Sequence, residues 1–372
     1  MDLKLPTGGN LEVEEALFED EETLDFIATH LKNMEKEVRV HSVIQIRDLE
    51  SEPEVDTPES KLKKELIEGL MRDFTGSVLR SDVPVENLIP RGEGLLGWGV
   101  IELKPDARAR KSYPIHLVGE KREAMVELVR EWEAQGKVEE GQGEWSSPAF
   151  VVPKKNGKWR GVVDFRALNE ATVGDSHPLP RIEDILVRQG GRSMYTIMDL
   201  KDAFHQVPLH PLSRPLTCTS TPIGTKQWCV VVMGLKNGVP IFQRVVEWCL
   251  RGVDDIASPY VDDILSGTEA QATKLDTLIA HEKDIRKVLE EMKATKLVAD
   301  IKKCDFFVEE VEFCGHILGH GRRKPAPGKL LAIAKWEEPR TITALRGFLG
   351  FTTIIRHTWR DMHIRSDFYR IC

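Results

Sequence analysis

The ten residues SPYVDDILSG, 258–267, place two adjacent carboxylates, Asp262 and Asp263, inside a β-prone apolar run. Tyr260, Val261, Ile264 and Leu265 read as strand. Side chains alternate faces along a strand, so an unbroken strand would point one of the two aspartates inward. A lone buried carboxylate is costly unless it is paired or holds a metal. Asp also favours turns, which makes the pair equally readable as a hairpin tip. Both readings hold if the turn itself presents the carboxylates to a cation.

The 372 residues suit roughly two domains. No apolar run approaches the roughly 18 residues of a membrane span, and the N-terminus lacks a basic-then-apolar signal pattern. Six cysteines, at 218, 229, 249, 304, 314 and 372, include no Cys-x-x-Cys pair, so a reduced, intracellular protein is expected, cytoplasmic or nuclear. Cys304, Cys314, His316 and His320 lack the paired spacing of a zinc site.

The net charge of −8 is unevenly spread. Residues 1–70 hold 19 Asp/Glu and 8 Lys/Arg, a net of −11; the other 302 hold 41 acidic and 44 basic, a net of +3. The acidity belongs to the N-terminal segment, and local basic clusters elsewhere remain free to meet phosphate. Within that segment DLESEPEVDTPES, 48–60, reads as a linker.

Helical periodicity appears at Met125–Trp132, Phe242–Cys249, Ile285–Met292 and Leu345–Thr352, each an expected core face. Strands are expected at 194–199, 226–233, 260–265 and 311–318. A hairpin is expected at 149–165 around Asn156-Gly157. Elements mix without a βαβ repeat, which favours an α+β domain with an antiparallel sheet. The hairpin turn carries Lys154, Lys155, Lys158 and Arg160, with Trp159 on the opposite face from Lys158 and Arg160. Such a tip suits phosphate contact, or is a solvated charged turn.

In order along the chain, WSSPAFVVPKKNGKWRGVVDFRALNEATV, HPLPRIEDIL, MDLKDAFHQVPLH, GLKNGVPIFQR, YVDD, KKCDFF and VEFCGHILG resemble the reverse transcriptase of gypsy-type LTR retrotransposons and retroviruses. The resemblance covers about 260 residues and implies a right-hand polymerase with fingers, a palm whose antiparallel sheet is backed by helices, and part of a thumb. It divides the chain into an acidic segment and linker (1–70), a lead-in (71–133), the polymerase domain proper (134–319), a thumb or connection start (320–362) and an unmatched tail (363–372). It assigns Asp199, Asp262 and Asp263 to catalysis and to two magnesium ions, with manganese as a substitute. Lys155, Arg160, Ala203, Phe204, Gly234 and Gln243 fall at the nucleotide side, Phe204 where a bulky aromatic excludes the ribose 2′-hydroxyl. Phe313, Cys314, Gly315 and His316 resemble the primer grip, and Lys302 or Lys303 falls near a general-acid lysine. Asp164 and Arg166 are structural or template-proximal, and Asp254-Asp255 lies outside the matched box as a surface turn. The implied partners are an RNA or DNA template with its primer, and deoxynucleoside triphosphates.

One block departs from the pattern. Residues 233–239 read Met-Gly-Leu-Lys-Asn-Gly-Val where the family has Phe-Gly-Leu-Thr-Asn-Ala-Pro, and the proline comes one place late, at 240. That change is expected to reshape the nucleotide pocket. With the early end of the match after Phe351, it supports a second reading, a catalytically impaired remnant that binds nucleic acid or does nothing. A third reading makes the acidic N-terminal segment a protein-interaction module.

Overall fold

The computed structural model describes residues 57–81, 97–154 and 157–326, with single positions at 336, 341, 344, 346 and 347. Of the predicted helix at 345–352 only Arg346 and Gly347 are described, both helical; the rest of it and the tail lie outside the described residues. The elements in chain order are α1 (Pro58–Phe74), β1 (Leu79–Arg80), α2 (Glu120–Ala134), β2 (Val138–Glu140), β3 (Ser147–Pro153), β4 (Trp159–Val163), α3 (Arg166–Ala171), α4 (Ile182–Gln189), β5 (Met194–Asp199), β6 (Thr219–Thr221), β7 (Gly224–Trp228), α5 (Gly238–Cys249), β8 (Ala257–Tyr260), β9 (Asp263–Thr268), α6 (Lys274–Ala294), β10 (Ala299–Asp300), β11 (Asp305–Val308), β12 (Glu310–Phe313), β13 (His316–Gly319) and β14 (Arg322–Pro325). Contacts separate two compact units, Asp56–Val311 with Leu318–Arg322, and a second that holds 312–317 and 323–326.

Two sheets organise the first unit. The larger runs β2-β7-β6-β3-β4, with β3 and β6 parallel and the other neighbours antiparallel. Helix α2 lies against it, and at Gly161 on β4 an added Cβ would stand 2.6 Å from the Trp132 ring. That close approach requires glycine. The smaller sheet, β11-β5-β9-β8, is antiparallel throughout. Its two central strands, β5 and β9, are buried almost end to end, as expected of strands covered by helices.

Alternation along β5 and β9 fixes which side does what. On one face Thr196 and Thr268 hold the His281 imidazole of α6, with hydroxyl-to-nitrogen distances of 2.8 Å each. The opposite face carries Tyr195, whose hydroxyl donates to the Gln189 carbonyl of α4 at 3.0 Å, and at its far end Asp199. The core is continuous across Leu70, Met125, Phe165, Met198, Phe242, Ile264 and Val288, among others.

The boundary expected at residue 70 falls inside α1. Thr57 caps that helix with a reciprocal Thr57–Ser60 capping box and Pro58 in the first turn, so the linker expected through residue 60 gives way to helix at Pro58. Helix α1 packs along α6, Arg286 bonding Asp73 at 2.8 Å and lying 5.7 Å over the Phe74 ring. The strand expected at 226–233 ends at Trp228, and 311–318 is two strands, β12 and β13, with Cys314 and Gly315 between them at φ of 49° and 75°. A turn that needs two successive left-handed residues breaks the run that periodicity alone left continuous.

Candidate active site

The acidic pair sits in a two-residue hairpin. Tyr260 pairs with Asp263, leaving Val261 and Asp262 as the turn. Val261 has φ of 52°, a left-handed backbone that a β-branched residue adopts only under constraint. The constraint is Gln243 on α5, which is fully buried. Its Oε1 accepts the Val261 N–H at 2.7 Å, and its Nε2 donates to the Pro259 carbonyl at 3.2 Å and to Glu247 Oε1 at 2.9 Å. Gln243, expected at the nucleotide side, thus has its side chain committed to the hairpin.

The register then brings the carboxylates together. Asp199, the last residue of β5, is the direct partner of Asp263, the first of β9. The Leu200 N–H donates to the Asp262 carbonyl at 2.7 Å, tying the end of β5 to the turn. Burial, then repulsion from Asp262 and Asp199, pushes the Asp263 carboxyl up to about 6, against the opposing pull of Lys303. Both Asp199 oxygens receive the Lys303 ammonium, at 2.9 and 3.1 Å, and this bond raises the lysine above its ordinary range. Three carboxylates are the donor chemistry that suits a hard divalent cation. Among the described residues, however, no three acidic, imidazole or thiol groups converge as a formed metal site.

The residues after Asp199 turn sharply. Asp202 is left-handed, with φ of 46° and ψ of 40°, and starts the short 3-10 turn Ala203–Gln206. Lys137, only 7% exposed, pairs with Asp202 at 3.1 Å. Burial opposes ionisation of Asp202, but Lys137, with His205 and Lys201, overcomes it and holds the carboxyl below its usual range. Ala203 is buried, and Phe204 is packed against Phe242 with ring centroids 5.3 Å apart.

The Gly-rich block is held from the other side. Gly234 has φ of 97°, the conformation for which glycine is suited. The Asn169 side chain donates to the Gly234 carbonyl at 2.8 Å and accepts the Lys236 N–H at 2.7 Å. Asn237 bonds the Val173 carbonyl and the Asp175 N–H, and Arg244 pairs with Asp175. Helix α5 starts at Gly238, so Pro240 lies in its first turn, where the missing N–H has no helical partner to lose. The displaced proline is therefore accommodated with the helix intact.

Arg160 is exposed on β4, and Arg166 forms a forked pair with Asp164, which it holds below the usual carboxylate range. Lys155 lies outside the described residues. Phe313 and His316 are buried in β12 and β13, and Cys314 and Gly315 form the turn between them. Asp254 and Asp255 stand exposed in a turn. Sequence reasoning missed Asn169 and Lys137, whose roles come from partners 65 residues away along the chain, and it left Lys302 and Lys303 unresolved.

A helix-backed antiparallel sheet carrying an acidic strand end opposite an acidic hairpin, with a second sheet bearing a basic hairpin, is consistent with a right-hand polymerase fold. Residues 152–318 match the reverse transcriptase (RNA-dependent DNA polymerase) family. The chain is 32% identical over 255 residues to the retrovirus-related Pol polyprotein from transposon opus of Drosophila melanogaster, covering 67% of this chain and 24% of that protein. It is 33% identical to the corresponding polyprotein from transposon gypsy of the same organism, covering 61% of this chain and 22% of that one. Against the enzymatic polyprotein of figwort mosaic virus it is 31% identical, over 64% of this chain and 36% of the relative. A foamy viral protease-reverse transcriptase in complex with RNA/DNA hybrid superposes with a TM-score of 0.62 at 21% identity, covering 82% of this chain and 41% of that one. The domain at residues 152–318 belongs to the reverse transcriptase family, in the form found in retroelement Pol polyproteins. The chain spans about a quarter of the length of the first of these relatives.

Proposed function

We propose that the chain is an RNA-directed DNA polymerase, adding deoxynucleotides to a primer 3′-end on an RNA or DNA template. The observation that carries this is the register of Asp199 against Asp263, with Asp262 at the tip of the same hairpin. Asp199, Asp262 and Asp263 would hold divalent cations, magnesium or manganese, which lower the charge cost of phosphoryl transfer when bound. The protein's own contribution is positioning. Gln243 sets the hairpin, Lys137 and Asp202 set the turn bearing Ala203 and Phe204, and Asn169 sets the Gly-rich turn. Phe204 is the residue proposed to meet the ribose 2′-position, and Arg160 with Lys155 the triphosphate; Lys303 is favoured over Lys302 as the lysine of the site because it reaches Asp199. Phe313 to His316 are proposed as the primer grip. Foamy viral homologous folds have been captured with RNA/DNA hybrid and double-stranded DNA, which supports a nucleic-acid partner here.

The test separates binding from chemistry. Fluorescence anisotropy with a labelled primer–template is expected to give similar affinity for the wild-type chain and for Asp199→Asn, Asp262→Asn and Asp263→Asn. Extension should fall by at least about 10³-fold in each variant, the scale of losing an electrostatic element of a preorganised site. Extension that survives any of the three would remove that residue from the site.

A further inference from the structure

Lys303 ends the short turn Ile301–Lys303 that follows β10 and reaches back to the end of β5. Its ammonium engages both oxygens of Asp199, not one. The neighbouring carboxylate, Asp300, is taken by Lys201 at 3.1 Å and by the Lys302 backbone N–H at 3.2 Å. Lys303 is thereby directed to Asp199. A cation bound to either Asp199 oxygen would stand within a few ångströms of that ammonium, and like charges so close repel. The ammonium and a bound cation therefore compete for the carboxylate.

We propose that Lys303 is a resident counter-ion of Asp199 that a divalent cation must displace, so that metal loads against an ammonium and not onto an open carboxylate. This rests on the polymerase reading of the three aspartates. The Lys303 side chain is 60% exposed, and exposed ion pairs are weak. The competition is therefore small, about two- to fivefold in metal affinity.

Manganese binding to the full chain, without nucleotide or nucleic acid, can be followed by the electron paramagnetic resonance of free Mn²⁺. Lys303→Met is expected to bind the ion two- to fivefold tighter than wild type, and Lys303→Gln to behave alike. Lys302→Met, which removes the same charge one residue away, should leave affinity unchanged. On an Asp199→Asn background the gain from Lys303→Met should vanish. Equal affinity of wild type and both Lys303 variants would overturn the proposal while leaving the polymerase reading in place. So would an equal gain in Lys302→Met. Wild-type manganese binding that is absent, or insensitive to Asp199→Asn, Asp262→Asn and Asp263→Asn together, would overturn both.

Discussion

Gln243 is the residue on which the hairpin depends. Its amide supplies an acceptor and a donor to the backbone on both sides of a strained Val261. Gln243→Ala leaves the Val261 N–H and Pro259 carbonyl without these partners, each omission worth about 1–3 kcal/mol if buried. The expected result is a melting point several degrees lower, with extension falling further than stability alone explains, read by thermal denaturation beside kcat. Gln243→Glu keeps the acceptor but sets a buried carboxylate against the Glu247 carboxylate and the Pro259 carbonyl, and should be at least as destabilising as Gln243→Ala. Phe204 makes a second residue-level prediction. Phe204→Ala should narrow the deoxyribonucleotide over ribonucleotide ratio of kcat/KM by at least about tenfold, since a site that excludes a hydroxyl by bulk loses that exclusion with the ring. An unchanged ratio would place the discrimination elsewhere. The Asp262-Asp263 pair stood out in sequence because carboxylates inside an apolar strand demand a reason, but its grouping with Asp199 came only from the family resemblance; the register supplies the juxtaposition of Asp199 and Asp263. Gln243 did not stand out, because a glutamine on a helix face gives no sign of which backbone it will meet.

At the scale of elements, the stripes at 125–132, 242–249 and 285–292 were readable and lie inside α2, α5 and α6. What periodicity could not supply was the use of polar groups between elements. Helix α6 is bound to the smaller sheet through His281, buried and hydrogen-bonded to two threonine hydroxyls. Burial lowers this imidazole to about 3; burial of its ring and then the nearby Lys137 lower His205, half-buried and stacked on Trp228, to about 4. Both are neutral when folded and take up protons near the ordinary histidine value when unfolded. The unfolded state then binds more protons below about pH 6.5, so stability falls as pH drops from there toward 4. Each histidine contributes up to about 1.4 kcal/mol per pH unit in that window. Denaturant midpoints at pH 7 and pH 5 should differ accordingly, and His281→Gln should flatten the dependence; a midpoint unchanged between the two would contradict this. Lys137 and Asp202 act at the same scale, joining the start of β2 to the turn that bears Phe204.

For the whole molecule, the near-neutral charge of the last 302 residues fits a protein that meets phosphate through local clusters. The altered Gly-rich block, which in sequence supported an inactive remnant, is accommodated by a helix that begins ahead of Pro240. The acidic site is kept at a cost. Asp263 is raised to about 6, so its ionisation costs folding stability, a cost that grows from about pH 4 and is complete above about pH 6. Asp263→Asn should therefore raise the melting point of the metal-free protein at pH 8 while abolishing extension, and the gain should shrink as pH falls toward 4. A site that lowers stability for chemistry is the usual mark of function.

The central claim, that these carboxylates serve template-directed synthesis, meets its most direct test in primer extension. The purified chain is given a primed RNA template and deoxynucleotides with magnesium, then with manganese, beside the double variant Asp262→Asn, Asp263→Asn. Template-dependent extension by wild type, lost in the variant, is the expected result. No extension with either metal, from protein shown to be folded and to bind primer–template, would contradict it and leave a nucleic-acid-binding remnant.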